Sequence, residues 1–221
     1  MLSGKRVLVT GAAGGLGSGV VDVLLRHGAQ VVAVDRTRLE RDDVEFHKVD
    51  LLESSDAAPL ATVGRVDGLA HLVGGFAMGS DVHATDEATW NRMWALNVKS
   101  LNRTLAGIVP GMRATGGSIV TVGARNGLTG VGSMGAYSAS KSAVHRITES
   151  LAAELAGTGV RVNCVLPSII DTPANREAMP DMDRSGWVSP EGIGEVISFL
   201  LSDRSRAVHG ALVPVYGSSA S

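Results

Sequence analysis

A tyrosine and a lysine stand four residues apart in Gly135-Ala136-Tyr137-Ser138-Ala139-Ser140-Lys141, at the head of a segment with helical spacing. That spacing puts both side chains on one helix face. A neighbouring ammonium favours the phenolate, and a phenol drawn toward neutral pH can donate or accept a proton. Near the start of the chain, Thr10-Gly11-Ala12-Ala13-Gly14-Gly15-Leu16-Gly17 follows an apolar run and precedes a helical stretch. Glycines tighten such a turn and let a pyrophosphate approach the backbone at the N-terminus of the next helix, which makes dinucleotide binding the expectation. Asp35 closes the next apolar run. A carboxylate there accepts hydrogen bonds from an adenosine ribose and repels a 2'-phosphate, favouring NAD(H). Arg36 beside it is able to pair with that phosphate, which leaves NADP(H) open. Asp35 also suits an ordinary strand-end turn.

The elements that must position these residues follow from hydrophobic patterning. Apolar runs suited to strands buried on both faces recur at Arg6 to Thr10, Gln30 to Asp35, Gly68 to Val73, Ser118 to Val122 and Arg161 to Leu166. A short strand at Glu45 to Val49 and a last one at Ala211 to Val215 bring the total to seven. Val20 to His27, Ala57 to Val63, Glu87 to Val109, Ser138 to Ala156 and Pro190 to Ser202 have helical length or spacing. Alternation of this kind implies crossover units and a doubly wound, mostly parallel sheet with helices on both faces, an α/β fold of Rossmann type in a single domain over residues 1–221. The charged stretch Arg36 to Asp43 leaves room for one or two helical turns, so that crossover is expected to be abbreviated. Gly28, Gly157 and Gly159 mark helix ends, and Ser189 with Pro190 a helix start.

The motifs resemble those of the short-chain dehydrogenase/reductase family along nearly the whole chain. The matching residues are Gly11, Gly15 and Gly17, then Asp50, Gly74, Asn97 in Leu96-Asn97-Val98, Tyr137 and Lys141, Arg161-Val162-Asn163, and Pro167 with Thr172. The resemblance implies a seven-stranded Rossmann-type sheet. It makes Tyr137, Lys141 and Asn97 the catalytic group: Tyr137 the proton donor or acceptor, Lys141 on the nicotinamide ribose and tuning the tyrosine, Asn97 holding a relay water. The cofactor would meet Gly11, Gly15, Leu16, Gly17, Asp35, Arg36, Asp50, Leu51, Gly74, Pro167 and Thr172. The resemblance also implies a homodimer or homotetramer that pairs the helices over Glu87 to Val109 and Ser138 to Ala156.

Three departures stand against these matches. The family's serine, thirteen residues before the tyrosine, falls on Ala124. Loss of such an oxyanion donor costs on the order of 3 kcal/mol of transition-state stabilisation when nothing replaces it. His71 and Leu72 precede Gly74 where the family has paired asparagines, and Ser168 follows Pro167 where it has glycine. The alanine, the turn Val73-Gly74-Gly75-Phe76 and the short second crossover resemble the dihydropteridine reductase branch, whose quinonoid substrate spreads incoming charge and needs the hydroxyl less. The setting of Tyr137 equally fits ordinary carbonyl reductases. The expected function is therefore hydride transfer between nicotinamide and a small conjugated imine, quinonoid or carbonyl compound. Alternatives are a biosynthetic ketoreductase or alcohol dehydrogenase, and a nucleotide sensor without catalysis.

Ile169 to Trp187 follows the strand whose end should border the nicotinamide and carries Met179, Met182, Pro173 and Pro180. Long loops in that position act as lids, so residues 169–187 are expected to cover substrate, with Met179 and Trp187 touching it alongside Ala124 and Arg125. Arg125 and Asn126 also fit a plain turn, since Asn126-Gly127 is a turn signal. Trp90 and Trp94 suggest a packing stripe, and His71 a satisfied core residue. Ser133 and Ser138 offer hydroxyls that nothing in the sequence aims at the site. A net charge of -2 with no basic stripe excludes a nucleic-acid footprint. No apolar run approaches membrane-spanning length. Six histidines and the single Cys164 lack metal-ligand spacing, and a small-molecule enzyme of the cytoplasm is expected.

Overall fold

The computed structural model describes residues 1–53, 60 and 62–217. Strand β1 (Arg6–Thr10) leads to helix α1 (Gly17–Arg26), followed by β2 (Gln30–Asp35), β3 (Glu45–Lys48) and β4 (Gly68–His71). Helix α2 (Glu87–Trp94) passes through a π-helical turn (Ala95–Lys99) into α3 (Ser100–Thr115). The chain then runs through β5 (Gly117–Val122), α4 (Gly135–Leu155), β6 (Val160–Pro167), α5 (Pro173–Ala178), α6 (Pro190–Leu201) and β7 (Leu212–Val215). The strands form one sheet in the order β3-β2-β1-β4-β5-β6-β7, with every pair parallel. This is the Rossmann-type arrangement the alternation implied.

Strand side chains alternate between the faces. Val7 and Val9 pack with Val20, Val21 and Leu24 of α1 and Ile193 and Ile197 of α6 on one side. Leu8 and Leu69 pack with Leu101, Leu105 and Ile108 of α3 and Val144 of α4 on the other. Burying each such aliphatic side chain contributes roughly 1.5–3 kcal/mol. Strand order reverses between β1 and β4, opening at their C-terminal ends the crevice where doubly wound folds take ligands.

Several expectations are corrected. The crossover over Arg36 to Asp43 contains no helix; Arg41 braces it through Asp22 at 2.8 Å and Asp43 at 2.6 Å. The expected helix Ala57 to Val63 lies largely outside the described residues, although Leu60 and Val63 are buried. The expected helix over Glu87 to Val109 is present and runs on to Thr115, with a π-helical turn at Ala95–Lys99 inside it. Within α2, ahead of the π turn, Met93 is buried while Trp94 stays 46% exposed, so the Trp90–Trp94 packing stripe fails. Among the described residues no helix is long and apolar enough to cross a membrane.

Candidate active site

The glycine turn is held by contacts that only glycine allows. A Cβ on Gly17 would lie 2.2 Å from the Gly11 carbonyl oxygen, and one on Gly11, at φ +73°, would press on the backbone of Val73 at 2.9 Å. Gly14 N–H donates to the Gly11 carbonyl at 3.1 Å, completing the turn. Asp35 ties it to β2 by accepting from Ala13 N–H at 3.0 Å and Thr37 N–H at 2.9 Å. A Cβ on Gly15 would meet Thr172 at 3.0 Å, so the turn at one end of the sheet touches the start of the 169–187 segment.

Beyond this turn opens a cavity of about 870 Å³, within the size range of small-ligand sites. Gly11, Gly14, Gly15, Leu16 and Gly17 line it, and so do Tyr137 and Lys141. The two α4 residues thus share a face, as their spacing predicts. Gly74, Ala124, Arg125, Pro167, Met179 and Trp187 also border the cavity, so every predicted substrate contact does so. Asp35, Arg36, Asp50, Leu51, Asn97 and Thr172 do not line it. Asp50 caps its own loop by accepting from Leu52 N–H at 2.7 Å, and Arg103 of α3 donates to the carbonyls of Leu51 and Leu52 at 2.6 and 2.8 Å.

Asn97 sits 1% exposed inside the π turn. Its Oδ1 accepts from Gly75 N–H at 3.0 Å, and its Nδ2 donates to Gly75 O at 3.1 Å and Ser140 Oγ at 2.9 Å. Ser140 in turn donates to Tyr137 O at 2.7 Å. The amide therefore clamps the turn after β4 to the first turn of α4. A Cβ on Gly74 would stand 2.8 Å from Asn97 Oδ1 and 3.2 Å from Lys141 Nζ, which explains a glycine there.

The expected electrostatics of the pair are corrected. Burial pushes the Tyr137 phenol up to about 12, with Phe76 edge-on at 5.0 Å. Lys141, 6% exposed, is pushed down to about 8 by burial. Its ammonium donates to Val122 O at 2.9 Å, which directs it at a carbonyl rather than at the phenol. His71 is held neutral, down to about 3, by burial and then by Lys141, and it contacts Thr10 Oγ1 at 2.8 Å. It is the satisfied core residue expected.

Sequence reasoning missed His145. Its Nε2 accepts from Ala124 N–H at 3.3 Å, and a Cβ on Gly123 or Gly127 would lie 2.4 or 2.5 Å from the ring. Two glycines flanking Ala124 were its only signal. Sequence reasoning also missed Tyr216, which carries the Arg125 guanidinium 5.2 Å above its ring. Tyr216 follows the last strand and belongs to no motif. Neither Ser133 nor Ser138 borders the cavity. The 169–187 segment is not a plain loop: it contains α5, capped by Thr172, and its ends pair through Ile170 and Val188.

The short chain dehydrogenase family model matches residues 5–183. Bovine (Bos taurus) L-xylulose reductase is 33% identical over 237 residues, covering 98% of this chain and 96% of its own. The 2-(S)-hydroxypropyl-CoM dehydrogenase 3 of Xanthobacter autotrophicus is 30% identical, with coverage of 98% and 96%. The crystal structure of a short-chain oxidoreductase from Burkholderia thailandensis superposes with a TM-score of 0.86 at 33% identity, covering 96% of this chain and 90% of that one. The glycine turn, the reversal of strand order and the Tyr137–Lys141 face thus occur in a chain that belongs to the short chain dehydrogenase family, whose members are NAD(P)-dependent oxidoreductases.

Proposed function

We propose that this oxidoreductase reduces a small conjugated carbonyl, imine or quinonoid compound, with Tyr137 as the proton donor. The observation that carries the reading is the shared cavity, which Tyr137 and Lys141 line together with the glycine turn. The turn fits a dinucleotide: its glycines leave no side chain between backbone and ligand, and the first turn of α1 presents N–H groups that a helix cannot satisfy internally. When bound, the nicotinamide supplies hydride. Tyr137, pushed up to about 12, carries its proton at neutral pH, as a donor to the reduced substrate must. Lys141 holds the wall beside it through Val122 O, and Asn97 fixes the helix turn from which Tyr137 projects. Residues 169–187 act as the lid, bringing Met179 and Trp187 over the cavity.

NAD(H) is the preferred cofactor in this reading, because Asp35 keeps a carboxylate at the end of β2. The absence of a hydroxyl at Ala124 favours acceptors that delocalise the charge they gain, a quinonoid pterin among them. The enzyme is proposed to work in the cytoplasm as a homodimer or homotetramer. Tyr137→Phe tests the central role. Turnover of an NADH-dependent reduction is expected to fall by about 10²–10⁴, while NADH binding, followed by its fluorescence, stays as in the parent. An unchanged rate would remove Tyr137 from the chemistry.

A further inference from the structure

The residue after Ala124 brings a positive charge to the lining of the cavity. Arg125 lines the cavity, partly buried, with its guanidinium carbon over the Tyr216 ring at 5.2 Å. A cation held over a ring face makes no hydrogen bond to the ring, so the guanidinium keeps N–H groups able to donate. Other arginines of this protein hold carboxylates closely: Arg6, Arg146 and Arg176 have theirs at 2.6 to 2.7 Å. Arg125 has no carboxylate within ion-pairing distance among the described residues.

The neighbouring ionisable groups do not fill that role. The Lys141 ammonium is directed to Val122 O. Asp183, the acid on the cavity wall, accepts from Ser185 N–H at 3.0 Å and Ser185 Oγ at 2.7 Å. A partly buried guanidinium without an ion-pair partner is free to take the charge of a ligand that enters the cavity.

We infer that the substrate carries a carboxylate and that Arg125 is the specificity residue that binds it. The inference rests on the reductase reading and narrows its substrate class. A planar carboxylate matches the two in-plane N–H groups of a guanidinium. The charged groups lining the cavity, Arg125, Lys141 and Asp183, sum to one net positive charge, which suits a single negative charge better than a phosphate dianion. Met179, Phe76 and Trp187 on the surrounding walls suit an apolar or aromatic body next to that carboxylate. The substrate class is thus an apolar oxo or imino acid, with the reducible bond toward Tyr137 and the carboxylate toward Arg125.

Benzoate and benzamide, alike in shape and different in charge, test this. Each is titrated by calorimetry into the full-length protein, with and without saturating NADH, in the parent and in Arg125→Gln and Arg125→Lys. Benzoate is expected to bind at least about ten-fold more tightly than benzamide in the parent, the gap produced by about 1.4 kcal/mol. Arg125→Gln should erase the difference by weakening benzoate alone, and Arg125→Lys should keep part of it. NADH binding should be the same in all three proteins, which shows that the variants are folded. Equal affinities in the parent, no benzoate binding at millimolar concentration, or benzoate binding that survives in Arg125→Gln would overturn the inference. Those results leave the reductase reading standing. Failure of the parent to bind NADH would instead remove that reading, whatever the benzoate result.

Discussion

Burial decides the ionisation of both groups that head α4. A folded Lys141 that gives up its proton near 8 differs from an unfolded lysine near 10.5. Between these values the unfolded state binds more protons, so stability rises with pH across the window. The burial penalty is full below pH 8 and gone above 10.5. Its size is on the order of 3 kcal/mol at 1.36 kcal/mol per pKa unit. Urea unfolding at pH 7.5 and pH 10.5 should therefore show a rise in the parent that Lys141→Met lacks, and parallel pH dependences would show that the buried ammonium carries no such penalty. At this scale the identities of the chemical residues were legible, because Tyr137 and Lys141 stand at helical spacing. Their electrostatic environment was not. It depends on Val122 O and Phe76, which approach from other elements.

The glycine turn illustrates how an element's shape is dictated by atoms it lacks. Gly17→Ala would drive a methyl into the Gly11 and Ala12 carbonyls at 2.2 and 2.6 Å, and backbone cannot swing aside as a flexible side chain can. Thermal or urea unfolding should show a loss of roughly 1–3 kcal/mol, with NADH affinity falling by at least about ten-fold if the turn moves by enough to lose one hydrogen bond of about 1.4 kcal/mol. An NADH affinity equal to the parent's would mean the turn does not cradle the cofactor. Strand positions were largely readable here: β1 and β2 match their apolar runs end to end. The π turn at Ala95–Lys99 was not, since it breaks no residue preference. It is held instead by tertiary bonds from Asn97 to Gly75 and Ser140. His145 escaped for the same reason, because a histidine in mid-helix reveals its partners only after β5 and α4 have packed.

Over the whole molecule, the two-faced core and the reversal of strand order were implied by alternation and by right-handed crossovers, while the outer surface was not. Trp94, 46% exposed, with Val82 at 58% and Leu128 at 50%, remains outside the core of the single chain. In the homo-oligomer we propose, pairing through the α2–α3 and α4 region would cover Trp94. Trp94→Asp is then expected to shift sedimentation toward the monomer, with far-UV circular dichroism unchanged; an unaltered sedimentation coefficient would place the contact elsewhere. The segment over the cavity adds one more property of the molecule as a whole. Asp171 N–H donates to Val188 O at 2.8 Å and Val188 N–H to Ile169 O at 2.9 Å, fastening its two ends to each other. With both ends held in this way, a protease that nicks the segment near Ser185 should leave two fragments that co-elute under native conditions and separate only in denaturant.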